Sequence, residues 1–148
     1  MSYAQAGLSA DDLRSMEIAW VIAWPEAVTM RSQAAVVGDT LFVPVGESQN
    51  RMFAIDVSTR EPCIQWVYQA NRVLRSSAGY GVRSDGQKIV IVADYGGYVH
   101  MVDAVTGRLL WETHIGMSAS SIGTATPVLV EDVVYAASSR ARKITGNF

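Results

Sequence analysis

Short apolar runs recur along the chain, each closed by a cluster of turn residues. Residues 41–45 form one such run, 46–50 a turn, and 52–55 and 64–68 two further runs. The order returns in residues 88–93, the turn cluster Asp94-Tyr95-Gly96-Gly97, then 98–102 and 109–115. Short β-rich runs separated by turn residues predict antiparallel hairpins. Pro44 falls inside one predicted strand, where it removes a ladder donor, so a bulge or an unpaired side is expected there.

Three tryptophans set the period, for Trp20, Trp66 and Trp111 lie 46 and 45 residues apart. Ala54-Ile55-Asp56 precedes Trp66 as Met101-Val102-Asp103 precedes Trp111, and Thr106-Gly107 supplies the corner between Asp103 and Trp111. Gly107 suits such a corner because glycine takes positive φ without a side-chain clash. A period near this length predicts β-propeller blades of four strands, which repeat about every 40–45 residues.

The two ends break the period. Ser9, with Asp12 three residues on, is placed to cap one or two helical turns. Residues 16–25, ended by Pro25, read as the last strand of a blade, because Trp20 occupies the repeat position. Residues 126–137 align with 34–45 as the first two strands of a further blade. The predicted fold is therefore all-β: four-stranded antiparallel propeller blades, two of them complete, flanked by a lone N-terminal strand and a C-terminal half blade, with a short N-terminal helix. The segments are a lead-in at 1–15, the strand at 16–25, blades at 31–69 and 75–116, the half blade at 124–137 and a tail at 138–148.

Composition narrows the function. Of 148 residues, 49% are apolar and 18% charged, which argues against disorder. A net charge of −2 lacks the basic footprint that nucleic acid requires. No apolar stretch reaches the eighteen residues of a membrane span. Residues 1–10 lack the basic start and apolar core of a signal peptide, so the chain as written is expected to be cytoplasmic. The single cysteine, Cys63, cannot form an internal disulfide and is expected to fill the core.

Residues 5–13, 18–25 and 31–43, the run Cys63-Ile64-Gln65-Trp66, and residues 101–111 resemble the opening of the quinoprotein dehydrogenase propeller. Within that group the chain is most similar to the polyvinyl-alcohol-dehydrogenase type. The resemblance implies an eight-bladed propeller that holds pyrroloquinoline quinone and calcium on its axis, oxidises alcohols in the periplasm and passes electrons to a cytochrome. This chain departs from that pattern: it carries fewer than three blades, no haem motif and no adjacent cysteine pair, and nothing matches the family's calcium ligands or catalytic aspartate. No catalytic or metal-binding residue is therefore assigned.

Arg31 and Arg75 precede equivalent first strands, each followed by serine, and Gly123-Thr124 holds the third such position. A first strand is the innermost of its blade, so Arg31, Arg75 and Thr124 are candidates to line an axial mouth and bind a multiply charged quinone or a carboxylated ligand. The alternative is that each arginine bonds a neighbouring blade or is solvated at the rim. Trp20, Trp66 and Trp111, with Asp56, Asp103 and Gly107, are read as the structural repeat, the indoles packing between blades. His100 and His114 lack a carboxylate at a spacing that suggests general-base work and are read as structural.

A partial propeller exposes blade faces and sheet edges that must be covered. Head-to-tail assembly is expected, the Trp20 strand of one copy completing the half blade of another, with residues 143–145 as the missing third strand. Three functional readings stand: an inactive portion of a quinoprotein alcohol dehydrogenase, an assembled propeller scaffold for a small molecule or protein, and a miniature quinoprotein.

Overall fold

The computed structural model describes residues 7–25, 27, 30–46 and 49–140. The proposed third strand at 143–145 lies outside them. Helix α1 (Ala10–Arg14) is capped as its sequence predicts: Ser9 Oγ accepts from Asp12 N, and Ser9 N donates to Asp12 Oδ2 at 2.7 Å.

Two four-stranded antiparallel sheets follow, each with its strands in chain order. The first holds β1 (Ala35–Val37), β2 (Thr40–Val45), β3 (Arg51–Asp56) and β4 (Cys63–Gln69). The second holds β5 (Gly79–Val82), β6 (Lys88–Ala93), β7 (Tyr98–Asp103) and β8 (Leu109–His114). Short strands β9 (Ser121–Ile122) and β12 (Ser139–Arg140) pair with each other, and β10 (Val128–Val130) pairs with β11 (Val133–Tyr135). The first strands β1, β5 and β10 lie side by side, as the inner strands of successive blades do.

The apolar runs have a direct cause. Met52 to Ile55 in β3, all of β6 after Lys88, and Val99 to Val102 in β7 are buried on both sheet faces. A strand covered on both faces has no polar side to alternate with. Strand β4 is outermost, and there alternation returns, with Trp66 and Tyr68 buried and Gln65, Val67 and Gln69 exposed.

One apolar layer joins the sheets, bringing Phe42, Met52, Ala54, Trp66 and Tyr68 against Val90, Val92, Val102 and Ala104. The far face of the second sheet, Ile89, Ile91 and Met101, takes Leu129 and Val134 of the β10–β11 hairpin. Gly79 and Gly81 permit that approach, because a Cβ on Gly79 would collide with the Pro127 carbonyl and one on Gly81 would lie 2.7 Å from Leu129 Cδ2. On the far face of the first sheet, Ile22 and Trp24 pack over Val43 and Phe53, the Trp24 and Phe53 rings 5.7 Å apart.

Several expectations are corrected. Residues 16–24 form no strand. A fourth strand exists by pairing with the third strand of its own blade, and the described residues provide none there, so the segment lies as irregular chain against the first sheet. Val130 pairs with Val133 across Glu131-Asp132 as Val37 pairs with Thr40 across Gly38-Asp39. The two-residue turns thus shift the 126–137 alignment by one position. Cys63 is exposed, because it opens the outermost strand and points away from the core. Of the two expectations for Pro44, a bulge or an unpaired side, the second is met: β1 pairs with β2 only as far as Phe42, and on the side of Pro44 left open Ser32 Oγ donates to the Pro44 carbonyl at 2.7 Å.

Bulges occur elsewhere, and at matched positions. The β3–β4 register slips so that Gln65 is extra beside Trp66, and the β7–β8 register slips so that Leu110 is extra beside Trp111. A bulge re-aims the next side chain. Trp66 is thereby turned onto the Asp103–Gly107 corner of the second sheet, where Nε1 donates to the Ala104 carbonyl at 3.1 Å. Gly107 has φ +73°, and a Cβ there would sit 2.7 Å from Trp66 Cδ2.

Gly107→Ala therefore combines a left-handed backbone with a clash and is expected to destabilise the chain by about 2–4 kcal/mol in urea denaturation. Gly38→Ala, which has positive φ but open space around it, should lose only about 1–2 kcal/mol. Equal losses would show that closeness to Trp66 contributes nothing.

Candidate functional site

The repeat residues divide their work locally. Asp103 Oδ1 accepts from Val105 N, Thr106 N and Thr106 Oγ1, while its Oδ2 accepts from Gln87. Asp56 accepts from Ser58 N at 2.8 Å. Both carboxylates close the corner after a third strand, and both are held below the ordinary aspartate range, Asp56 by the Ser58 bonds and Asp103 by bonds that outweigh its desolvation. Trp111 is exposed and lines a groove against the β10–β11 hairpin with Met101, Leu110 and Val134. Trp20 is half-buried.

The candidate ligand residues do not line the grooves at the junction between the sheets. Arg31 is exposed, before the first sheet. Arg75 N donates to the Ala93 carbonyl, and its guanidinium carbon lies 5.1 Å from the centre of the Tyr95 ring. Thr124 is exposed beyond Gly123, whose N–H donates to the Asp94 carbonyl. Two grooves of about 350 Å³ open at the junction between the sheets. One is lined by Val37, Phe42, Gln65, Tyr80 and Lys88, the other by Asn50, Asn71, Arg72, Val73 and Tyr95. Neither includes Arg31, Arg75 or Thr124.

The structure instead assembles a buried polar chain that the sequence reading missed. Asp94, expected to be a turn residue alone, and His100, expected to lack a carboxylate partner, meet with Nε2 3.1 Å from Oδ2, both side chains fully buried. Strand pairing explains the contact: Val92 is opposite His100 and Asp94 N bonds the Tyr98 carbonyl, so Asp94 and His100 are diagonal neighbours on one face. The hairpin register around residues 94–97 was the available signal. On its other side His100 Nδ1 lies 3.0 Å from Tyr68 Oη in the first sheet and 3.4 Å from Glu112 Oε2 in β8.

The electrostatics follow from these contacts. Desolvation acts to raise Asp94, but hydrogen bonds from His100, Tyr98 N and Gly96 N, with the charge of His100, hold its carboxyl below the usual range. Arg72 adds a cation 3.9 Å from Asp94 Oδ2 while lying over the Tyr98 ring. Burial, reinforced by Glu112 and Asp94, pushes the Tyr68 hydroxyl up to about 12. An Asp–His–Tyr chain has the side-chain types of acid–base chemistry. Here Asp94 and His100 are fully buried, with the part-exposed side chains of Arg72 and Glu112 beside them.

The fit to calcium is poor. Among the described residues no three His, Cys, Asp or Glu side chains converge as a metal site. Asp94, the buried carboxylate, already directs its oxygens to two backbone N–H groups and an imidazole.

A family model of PQQ-type repeats, described as outer membrane protein assembly factor BamB, matches residues 19–146. The chain is similar to a polyvinylalcohol dehydrogenase from a Pseudomonas species, 28% identical over 132 residues that take in 87% of this chain and 20% of that protein. Among solved structures it resembles a europium-containing methanol dehydrogenase, with TM-score 0.64 and 22% identity over 81% of this chain and 23% of that one. It also resembles the quinohemoprotein alcohol dehydrogenase from Comamonas testosteroni, with TM-score 0.59 and 18% identity over 78% of this chain and 18% of that one. BamB from Moraxella catarrhalis matches with TM-score 0.54 and 21% identity over 71% of this chain and 33% of that one. At such identities the structural likeness is one of fold. The chain spans about a fifth of the curated relative's length and a third or less of each of these structures.

The carboxylate contribution can be read by acid titration. A depressed folded-state value means Asp94 stabilises fully above the unfolded value near 4 and loses that contribution as pH falls through the folded value. Asp94→Asn should lower stability at pH 7 by about 1–3 kcal/mol. The gap to the unmutated chain should close as denaturation is repeated from pH 4 down to pH 2, whereas a constant gap would remove the carboxylate charge from the account.

Proposed function

The chain belongs to the family of PQQ-type repeat propellers described as outer membrane protein assembly factor BamB, and we propose that its blades are wall segments of a quinoprotein-type propeller of the alcohol-dehydrogenase class, without oxidative chemistry of their own. The observation that carries this reading is the sealed state of the Asp94–His100 pair, whose side chains are fully buried and bonded to groups of the fold. Arg75, the best-placed anion ligand in the repeat, lies against Tyr95. Chemistry in the complete propeller then resides in other blades, and the periplasm implied by the family resemblance is the compartment we assign to it.

Titrating the purified chain with pyrroloquinoline quinone and calcium should give no saturable change in quinone fluorescence and no dye-linked oxidation of a primary alcohol. Saturable binding with calcium-dependent turnover would overturn this reading in favour of a miniature quinoprotein.

A second reading is a self-assembled scaffold for a small molecule or protein. It is favoured by the β10–β11 hairpin, which exposes Val128, Val130, Val133 and Tyr135. In that reading the Trp20 segment of a second copy covers the hairpin. Light scattering should then give a mass near twice 16.0 kDa, reduced to that of one chain by Trp20→Ala. A mutant of unchanged mass would sink the scheme.

A further inference from the structure

We propose that protonation of His100 transfers its Nδ1 hydrogen bond from Tyr68 of the first sheet to Glu112 of its own sheet, which makes the junction between the two blades a pH-sensitive latch.

Donor and acceptor capacity fixes which nitrogen of His100 carries the hydrogen. Asp94 is ionised and accepts only, so the His100 Nε2 that faces Oδ2 at 3.1 Å carries a hydrogen whether the ring is neutral or charged. In the neutral ring Nδ1 is then bare and needs a donor. Glu112, an acceptor, cannot supply one, but the Tyr68 O–H at 3.0 Å can. Tyr68 keeps its proton well beyond neutrality, since its hydroxyl is pushed up to about 12. While the ring is neutral the bond therefore crosses from β4 of one blade to β7 of the next.

Adding one proton from solvent to Nδ1 reverses its role. The N–H must now donate, and the carboxylate of Glu112 at 3.4 Å is a stronger acceptor than a phenol oxygen. Glu112 stands directly opposite His100 in the β7–β8 pairing, so a small side-chain movement completes the exchange. Its side chain is 34% exposed while that of His100 is fully buried, which gives the proton a route through the carboxylate. The charged ring would lie between Asp94 and Glu112, with Arg72, 3.9 Å from Asp94 Oδ2, as the opposing cation and Tyr68 as the neutral neighbour.

The energetic consequence is a change of partner across the blade junction. In the neutral state, removing the Tyr68 hydroxyl strands a buried ring nitrogen. In the charged state that nitrogen is served within its own blade, and the hydroxyl contributes little.

Two measurements test this on the full chain. Nitrogen-15 NMR of the unmutated protein should show His100 as the Nε2–H tautomer at pH 8 and as imidazolium at pH 5; a ring still neutral at pH 5 overturns the proposal. In denaturation, Tyr68→Phe should shift the unfolding equilibrium roughly five- to tenfold at pH 8 and less than about twofold at pH 5. Glu112→Gln removes the charged alternative acceptor, so in that background the Tyr68→Phe effect should persist at both pH values. A Tyr68→Phe effect equal at pH 8 and pH 5 with Glu112 intact, or one lost at pH 5 without it, also overturns the latch.

Discussion

The indole of Trp66, seated on the Asp103–Gly107 corner of the following sheet, is the contact on which the arrangement of the two blades depends. It joins the last strand of one blade to the last corner of the next, through a ring whose burial removes about 150–250 Å² from water and a hydrogen bond to the Ala104 carbonyl. At roughly 25 cal/mol per Å² that area corresponds to a gross gain of several kcal/mol. Other local features are arranged around it: the bulge at Gln65 aims the ring, Asp103 braces the corner, and Gly107 leaves room for the indole face.

Stacking sheets face to face leaves the middle strands with no wet side, and that decides where polar groups can go. Of the charged or imidazole side chains that are buried among the described residues, Asp94 and His100 find each other. A buried carboxylate is tolerated only when its oxygens are bonded, and Asp94 is bonded by Gly96 N, Tyr98 N and His100. The turn that ends β6 thus doubles as the anchor of the polar chain that reaches Tyr68. Ser76, also fully buried, repeats the solution on the inner side, its Oγ accepting from Ala93 N and donating to the Ser77 carbonyl.

What could be read from the sequence follows from this layering. The runs at 88–93 and 98–102 were legible because burial on both faces leaves an unbroken apolar signal, and Trp66 with Gly107 was legible because both belong to the period. The capping box at Ser9 was legible because it is closed within three residues. Residues 16–24 misled, because a tryptophan at the repeat position marks a strand only where a third strand is there to pair with it. The Asp94–His100 contact lay within one hairpin and could have been found by extending the register past the turn. Tyr68 could not: it is 32 residues from His100, and its approach depends on how the two sheets pack. Arg75 was placed correctly before its strand, yet its orientation over Tyr95 is set by side-chain packing that no spacing rule reports.

Apolar layers resist separation but tolerate sliding, since dispersion and hydrophobic burial have little directionality. Two directed contacts remove that freedom here. Trp66 Nε1 meets the Ala104 carbonyl near the corner end of the sheets, and Tyr68 Oη meets His100 Nδ1 two residues further along the same strand. Both side chains come from buried, inward-facing positions of β4, whose alternation places them on one face. Two fixed points on one strand define a line, and a blade held along a line can neither slip nor rotate in the plane of its neighbour. The tryptophan supplies most of the attraction between the blades, and the tyrosine supplies the second point that makes their relative orientation unique.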